Sequence, residues 1–172
     1  MKTKIIIFLM ILSSVTALAG FREKLPIRWG KTSVSEFSVM PMGRDSAATA
    51  IVLCDFGNIE ITNRTFYTQN TRIKILKEAG MKYASVEIPY QTKEKHDVFF
   101  DLKARTLVLE NGKIVEYKVA PSQIDDIKLS DTWSKKKFTF PNVKPGVIIE
   151  FRYTVASLDF EKLNTWYFQH LE

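Results

Sequence analysis

The sequence predicts an all-β protein, an antiparallel β-sandwich, on three observations. Apolar and polar residues alternate with period two from Ser33 onward, the pattern that puts one set of side chains on a core and the other in water. Turn-forming clusters recur at short intervals between the alternating runs. Helical periodicity is nearly absent, and eight or more strands at this spacing fit a sandwich or barrel.

Taken in order, residues 48–56, 59–63 and 65–76 read as strands, with Phe56-Gly57-Asn58 as the turn between the first two. In residues 83–90, Ala84, Val86, Ile88 and Tyr90 share a face, and Pro89 marks an edge or strand end because it cannot donate to a ladder. The clearest half-buried strand is 98–109: Val98, Phe100, Leu102, Ala104 and Val108 lie on one side, Asp101, Lys103 and Arg105 on the other, with Phe99 and Leu107 interrupting the polar face. It runs into Asn111-Gly112, which suits the two positive-φ positions of a type I′ turn, and then into a strand at 114–119. Residues 122–129 are polar, with Ile124 and Ile127 three apart, and read as a loop containing a turn. Strands follow at 136–140, 147–155 and 165–169; Pro141, Pro145 and Gly146 are expected to make a hairpin of the first two, with Phe138, Phe140, Val147, Ile149 and Phe151 inward.

The chain has 172 residues, enough for one domain. Its 45% hydrophobic and 26% charged residues are ordinary for a globular core, which excludes disordered and collagen-like classes. Lys2 and Lys4, the apolar run from Ile5 to Leu12 and the small-residue end Ala17-Leu18-Ala19 have the three-part layout of a secretory signal peptide. Cleavage is expected after Ala19, with residues 20–32 an extended arm whose packing awaits a neighbour and 33–172 the sandwich. The expected location is periplasmic or secreted. Past the leader no apolar stretch approaches the ~20 residues of a membrane helix, so no span is expected in the mature chain. Removing Lys2 and Lys4 with the leader lowers the formal charge from +6 to +4, too thin and scattered an excess to argue for nucleic acid.

No motif carries an obvious reaction. Cys54 is the sole cysteine, so no intramolecular disulfide can form; alternating with Val52 and Phe56, it reads as a small core hydrophobe. As a nucleophile it would need His96 with Asp97 as base and orienter, but His96 falls in a polar loop and no helix N-terminus is at hand to lower the thiol pKa. His170 has no ligand-spaced partner. One cysteine and two distant histidines make no zinc cluster, and Asp125, Asp126 and Asp131 lack calcium-loop spacing. Phosphate-binding glycine loops are absent, so no cofactor is expected. Asn63-Arg64-Thr65 matches a glycosylation acceptor, read as chance beside a bacterial-looking leader.

Most aromatics look inward: Phe138, Phe140, Phe151, Tyr153 and Phe168 fall in alternating register. Trp29 and Trp133 lie outside clear strands and are the candidate interaction surface, suited to a partner or to sugar stacking. Lys135-Lys136-Lys137 reads as a solvated edge or turn.

Several blocks together have a familiar order: Asp45 to Gly57, Arg72-Ile-Lys-Ile-Leu-Lys77 with Gly80, Ala104-Arg-Thr with Glu110-Asn-Gly112, Phe138-Thr-Phe-Pro-Asn-Val-Lys-Pro-Gly-Val-Ile-Ile-Glu-Phe-Arg-Tyr153, and Trp166-Tyr-Phe-Gln169. The chain resembles the domain of unknown function that precedes a transglutaminase-like core in secreted bacterial proteins. The resemblance spans roughly Val34 to Gln169, and F-x-F-P-N-V-K-P-G-x-I-I-E is its most specific block. In relatives a papain-like core with a Cys-His-Asp triad follows; none of its residues maps onto this chain, and Cys54 inherits no role. The resemblance thus implies a non-catalytic accessory or protein-interaction module, whose partner would be a transglutaminase-like or other envelope protein. The alternative is binding of carbohydrate or an envelope polymer. The ending at Glu172 leaves open a fragment, a truncated paralogue, or a stand-alone module with an exposed last strand.

Overall fold

The computed structural model describes residues 28–41 and 47–158. Eight strands fill it: β1 (Ala50–Ile61), β2 (Thr65–Ile75), β3 (Ser85–Gln91), β4 (Asp97–Glu110), β5 (Lys113–Lys118), β6 (Asp125–Lys128), β7 (Trp133–Thr139) and β8 (Ile148–Ser157). They form two antiparallel sheets, a five-stranded one in the order β1-β2-β8-β4-β5 and a three-stranded one in the order β3-β7-β6. The fold is the expected all-β sandwich. The expected strand 165–169, with Phe168 and His170, lies outside the described residues, as do the leader and most of the arm.

Between the sheets, the period-two alternation does what the sequence predicts. Tyr67, Ile75, Ile88, Ala104, Val108, Phe138, Phe140, Val147, Ile149, Tyr153 and Val155 are buried in one cluster. Phe138 of the small sheet meets Phe151 of the large one at 6.1 Å between ring centroids, and Tyr90 meets Phe99 edge-on at 4.9 Å, a separation and tilt that aromatic quadrupoles favour. The β4–β5 hairpin forms as predicted, with φ of 49° at Asn111 and 74° at Gly112. Pro89 sits on β3, an edge of the small sheet.

Five local expectations are corrected. Gly57 and Asn58 make no turn; they pair with Gln69 and Thr68 within an unbroken β1, and the chain reverses at Thr62–Arg64. Phe100 does not share a face with Leu102. A bulge between Phe100 and Lys103, with Asp101 at φ 55°, inserts an extra residue and flips the alternation, so Phe99 packs on the core and Phe100 is 49% exposed. Residues 125–128 of the expected loop form β6. Lys135-Lys136-Lys137 lies in the central strand of the small sheet, and Trp133 is the first residue of that strand.

The fifth correction concerns residues 141–146. They carry the chain from β7 in one sheet to β8 in the other, so the expected hairpin is a crossover. Its inward residues are as predicted, with Phe138, Phe140, Val147 and Ile149 buried and Phe151 packed against them. The crossover is tied down at both ends: Phe140 N donates to Ala84 O at 2.8 Å, and Gly146 N donates to Ile75 O at 2.8 Å. Thr106 Oγ1 donates to Pro141 O at 2.6 Å.

The lysines of β7 find carboxylate partners across the small sheet. Lys135 and Lys137 both reach Glu87, at 2.7 and 3.1 Å, and Lys136 reaches Asp126 at 2.7 Å. Hydrogen bonds from Lys135 and Lys137 hold the Glu87 carboxyl below its ordinary value. Burial pushes Asp126 up, but bonds from Lys136 and Tyr90 outweigh it and the net shift is down. A carboxyl depressed in the fold contributes stability above its unfolded value, near pH ~4, and loses it as pH falls through the folded value. Acid titration is therefore expected to loosen the small sheet below about pH 4, and Glu87→Gln with Asp126→Asn should flatten that dependence. Hydrogen exchange of β3, β6 and β7 amides against pH checks it; an unchanged acid slope in the double variant would count against these pairs.

Candidate functional site

The most elaborate polar arrangement lies on the outer face of the large sheet, away from the small one. Arg72 on β2, Glu150 on β8 and Arg105 on β4 are register neighbours in one row. All three side chains are 2–3% exposed. Glu150 Oε1 accepts from Arg72 Nη2 at 2.6 Å, and its Oε2 accepts from Arg105 Nε at 2.8 Å and Nη2 at 2.5 Å. The row ends on Glu36 Oε2, 2.6 Å from Arg72 Nη1, and on Glu116 Oε1, 2.6 Å from Arg105 Nη1.

Residues 28–41 supply much of the cover. Val34–Ser38 make a short 3₁₀ turn closed by a capping box, in which Ser33 N donates to Glu36 Oε1 at 2.8 Å and Ser35 N donates to Ser33 Oγ at 3.3 Å. The cap aims the other Glu36 oxygen at Arg72. Lys74, buried beside this turn, donates to the carbonyls of Phe37 and Val39 at 2.6 Å each, and burial pulls its amine below the ordinary lysine value. The Trp29 ring lies over the Arg105 guanidinium, 4.5 Å from centroid to carbon. Trp29 is thus engaged with its own sheet, whereas Trp133 stays 39% exposed. Leu107 and Ile148 are buried on this same outer side.

Cys54 pairs with Arg72 across a bulge that breaks its alternation with Val52. The expected core position is corrected: the thiol is half-buried on the outer face, outside the core cluster. Burial pushes it above the ordinary thiol value, with Arg72 only partly opposing. His96 is half-buried just ahead of β4. Its Nδ1 lies 3.1 Å from Asp97 Oδ1 and 3.5 Å from Ser157 Oγ. The two contacts share one ring nitrogen, which differs from a relay, where the carboxylate holds one nitrogen and the nucleophile faces the other. Asp97 Oδ2 accepts from Gln91 N at 2.8 Å, fixing the strand end.

Cys54 and His96 are not brought together. Cys54 is level with Arg72, while Asp97 pairs with Ser157 and Ser157 with Thr65. At ~3.3 Å per residue, the seven steps from Thr65 to Arg72 separate the two groups by about 23 Å along the sheet. Asp125, Asp126 and Asp131 do not converge: Asp126 is taken by Lys136 and Tyr90, and Asp131 by Lys128 at 2.7 Å. Among the described residues no group of three or more His, Cys, Asp or Glu is placed to hold a metal, and no helix is long and apolar enough to cross a membrane. A shallow cleft of about 290 Å³ opens between the β4–β5 hairpin and the crossover, lined by Val108, Glu110, Tyr117, Asn142, Val143 and Lys144.

Sequence reasoning missed the buried charge row. The available signal was the pair of apolar residues, Leu107 and Ile148, on a face that otherwise reads as polar.

Comparison with known proteins places this geometry. Among curated proteins the sequence finds no match. A crystal structure of a putative protease from Parabacteroides distasonis ATCC 8503 is similar, with a TM-score of 0.55 and 12% identity over 64% of this chain. The similarity covers 23% of that protein, so this fold corresponds to one part of a much longer chain there. The family model described as a domain of unknown function with solved structure, DUF3857, matches residues 62–169, from the turn before β2 through the crossover and β8, and the chain belongs to that family.

Proposed function

We propose that this chain is a non-catalytic, exported β-sandwich module with a protein-interaction or accessory role, its associated chemistry residing on a transglutaminase-like or other envelope protein. One observation carries the reading: the ionisable groups of the outer face and the strand ends close on one another. Arg72 and Arg105 both close on Glu150, the two His96 contacts fall on one nitrogen, and the raised Cys54 thiol lies about 23 Å along the strands from the level of that imidazole. A nucleophile needs a base within hydrogen-bond reach. The 23% coverage of the longer neighbour supports a part that works beside other domains.

Cys54 is expected to react with iodoacetamide at pH 7.5 more slowly than a free thiol, and unfolding should restore the ordinary rate. The chain should show no turnover on peptide or amide substrates. Turnover abolished by Cys54→Ser would overturn the reading. Glycan or envelope-polymer binding is a second reading, favoured by the exposed Trp133 at the head of β7. Flat tryptophan-fluorescence titrations with glycans and peptidoglycan fragments would remove it.

A further inference from the structure

Residues 28–41 lie across the outer face of the large sheet, yet none of them is buried. Val34, Val39 and Met40 are 45%, 40% and 65% exposed, and only Trp29, Thr32, Glu36, Phe37 and Pro41 are half-buried. Among the described residues, this strap's backbone bonds are internal: Lys31 N donates to Arg28 O, Glu36 N to Ser33 O and Val39 N to Glu36 O. It therefore adds no strand to the sheet. Three ties hold it down: the Glu36 carboxylate on Arg72, the Phe37 and Val39 carbonyls on Lys74, and the Trp29 ring on Arg105. On the sheet side of these ties, Arg72, Lys74 and Arg105 are only 2–4% exposed. Lifting the strap rehydrates Arg72 and Lys74, so the desolvation that they bear offsets much of what the ties contribute.

We propose that residues 28–41 are a releasable internal ligand, and that the face beneath them receives an acidic segment of a partner protein in their place. Charge selects the replacement. The buried cations Arg72, Lys74 and Arg105 share the face with the carboxylates of Glu36, Glu116 and Glu150. With Glu36 lifted, three cations stand against two carboxylates, and the exposed Lys118, register partner of Arg105, adds to the excess. The strap itself displays the chemistry that the face takes: a carboxylate on Arg72, with main-chain carbonyls one and three positions later on Lys74. Carbonyls at that spacing belong to a polypeptide. Taking the ligand to be a protein segment rests on the interaction role proposed above; the release of the strap does not.

The probe is a peptide of residues 32–41, blocked at both ends, in which Glu36 is the one charged side chain. It is titrated calorimetrically into the full chain and into the Trp29→Ala, Glu36→Ala double variant, where two of the ties are cut. The variant is expected to bind about tenfold or more tighter than wild type, whose own strap competes for the face. Glu36→Gln in the peptide should weaken binding to the variant about 10–100-fold, as losing a charge-assisted hydrogen bond does. Added salt should weaken the acidic peptide more than the glutamine one. No binding to the variant would overturn the proposal, as would equal affinity for variant and wild type, or for the two peptides. A double variant that no longer unfolds cooperatively would also overturn it, because the strap would then be part of the domain's core. None of these outcomes bears on turnover at Cys54, which tests the accessory role by itself.

Discussion

Glu150→Ala is expected to lower the unfolding free energy by ~3–5 kcal/mol, the range for removing one partner of a buried ion pair. Glu150 accepts from both Arg72 and Arg105, and all three side chains are almost sealed from water. Without it, the two guanidiniums keep only Glu36 and Glu116 at the ends of the row, while the charge between them is uncompensated. For a chain of this size the loss corresponds to a fall of roughly 10 °C in melting temperature. Glu116→Ala should cost far less, since that carboxylate is 39% exposed and partly screened by water. Replacing Arg72, Glu150 and Arg105 together by apolar residues of similar volume should recover much of the loss, because the desolvation cost goes with the charges. Urea titrations of the three variants decide it. A Glu150→Ala midpoint within error of wild type would show that water already reaches the row.

Much of the fold was legible because alternation is a direct consequence of strand geometry. Ile88, Tyr90, Ala104, Val108, Phe138, Phe140, Ile149 and Tyr153 are where a period of two puts them. Asn111-Gly112 was legible for an equally local reason, the positive φ that its turn requires. The failures share a cause. A bulge adds one residue with no change in composition, so the reading of 98–109 carried one face through Asp101 and put Phe100 inside in place of Phe99. At Gly57 a turn-forming pair was overridden by an unbroken ladder to β2. The six residues from Pro141 to Gly146 announce a reversal but not whether it joins neighbours in one sheet or steps to the other.

The charge row was hidden for a non-local reason. Arg72, Arg105 and Glu150 are 33 and 45 residues apart in sequence, and each alone reads as a residue on a solvated face. Only the pairing of β2, β8 and β4 aligns them, and only residues 28–41, which make no strand, bring Glu36 and Trp29 over them. That Cys54 lies beside Arg72 was not legible, because the bulge after Val52 is not written in the alternation.

Phe138→Ala is expected to cost ~3–5 kcal/mol, the range for truncating a buried phenylalanine. Its ring is 1% exposed and lies 5.6 Å from Phe140, just ahead of the crossover, and 6.1 Å from Phe151 on the opposite sheet. Phe100→Ala, on the exposed side of the bulge, serves as the control and should stay within about 1 kcal/mol, as surface positions do. The consequence extends beyond the small sheet. β7 holds β3 and β6 together and feeds β8, the central strand of the large sheet, through the crossover. A cavity at Phe138 should therefore lower amide protection in β7 and β8 together, with a single transition retained. Hydrogen exchange separates the cases. Protection lost only in β3, β6 and β7, with β8 unchanged, would mean that the sheets are coupled weakly and that the crossover, not the aromatic cluster, joins them.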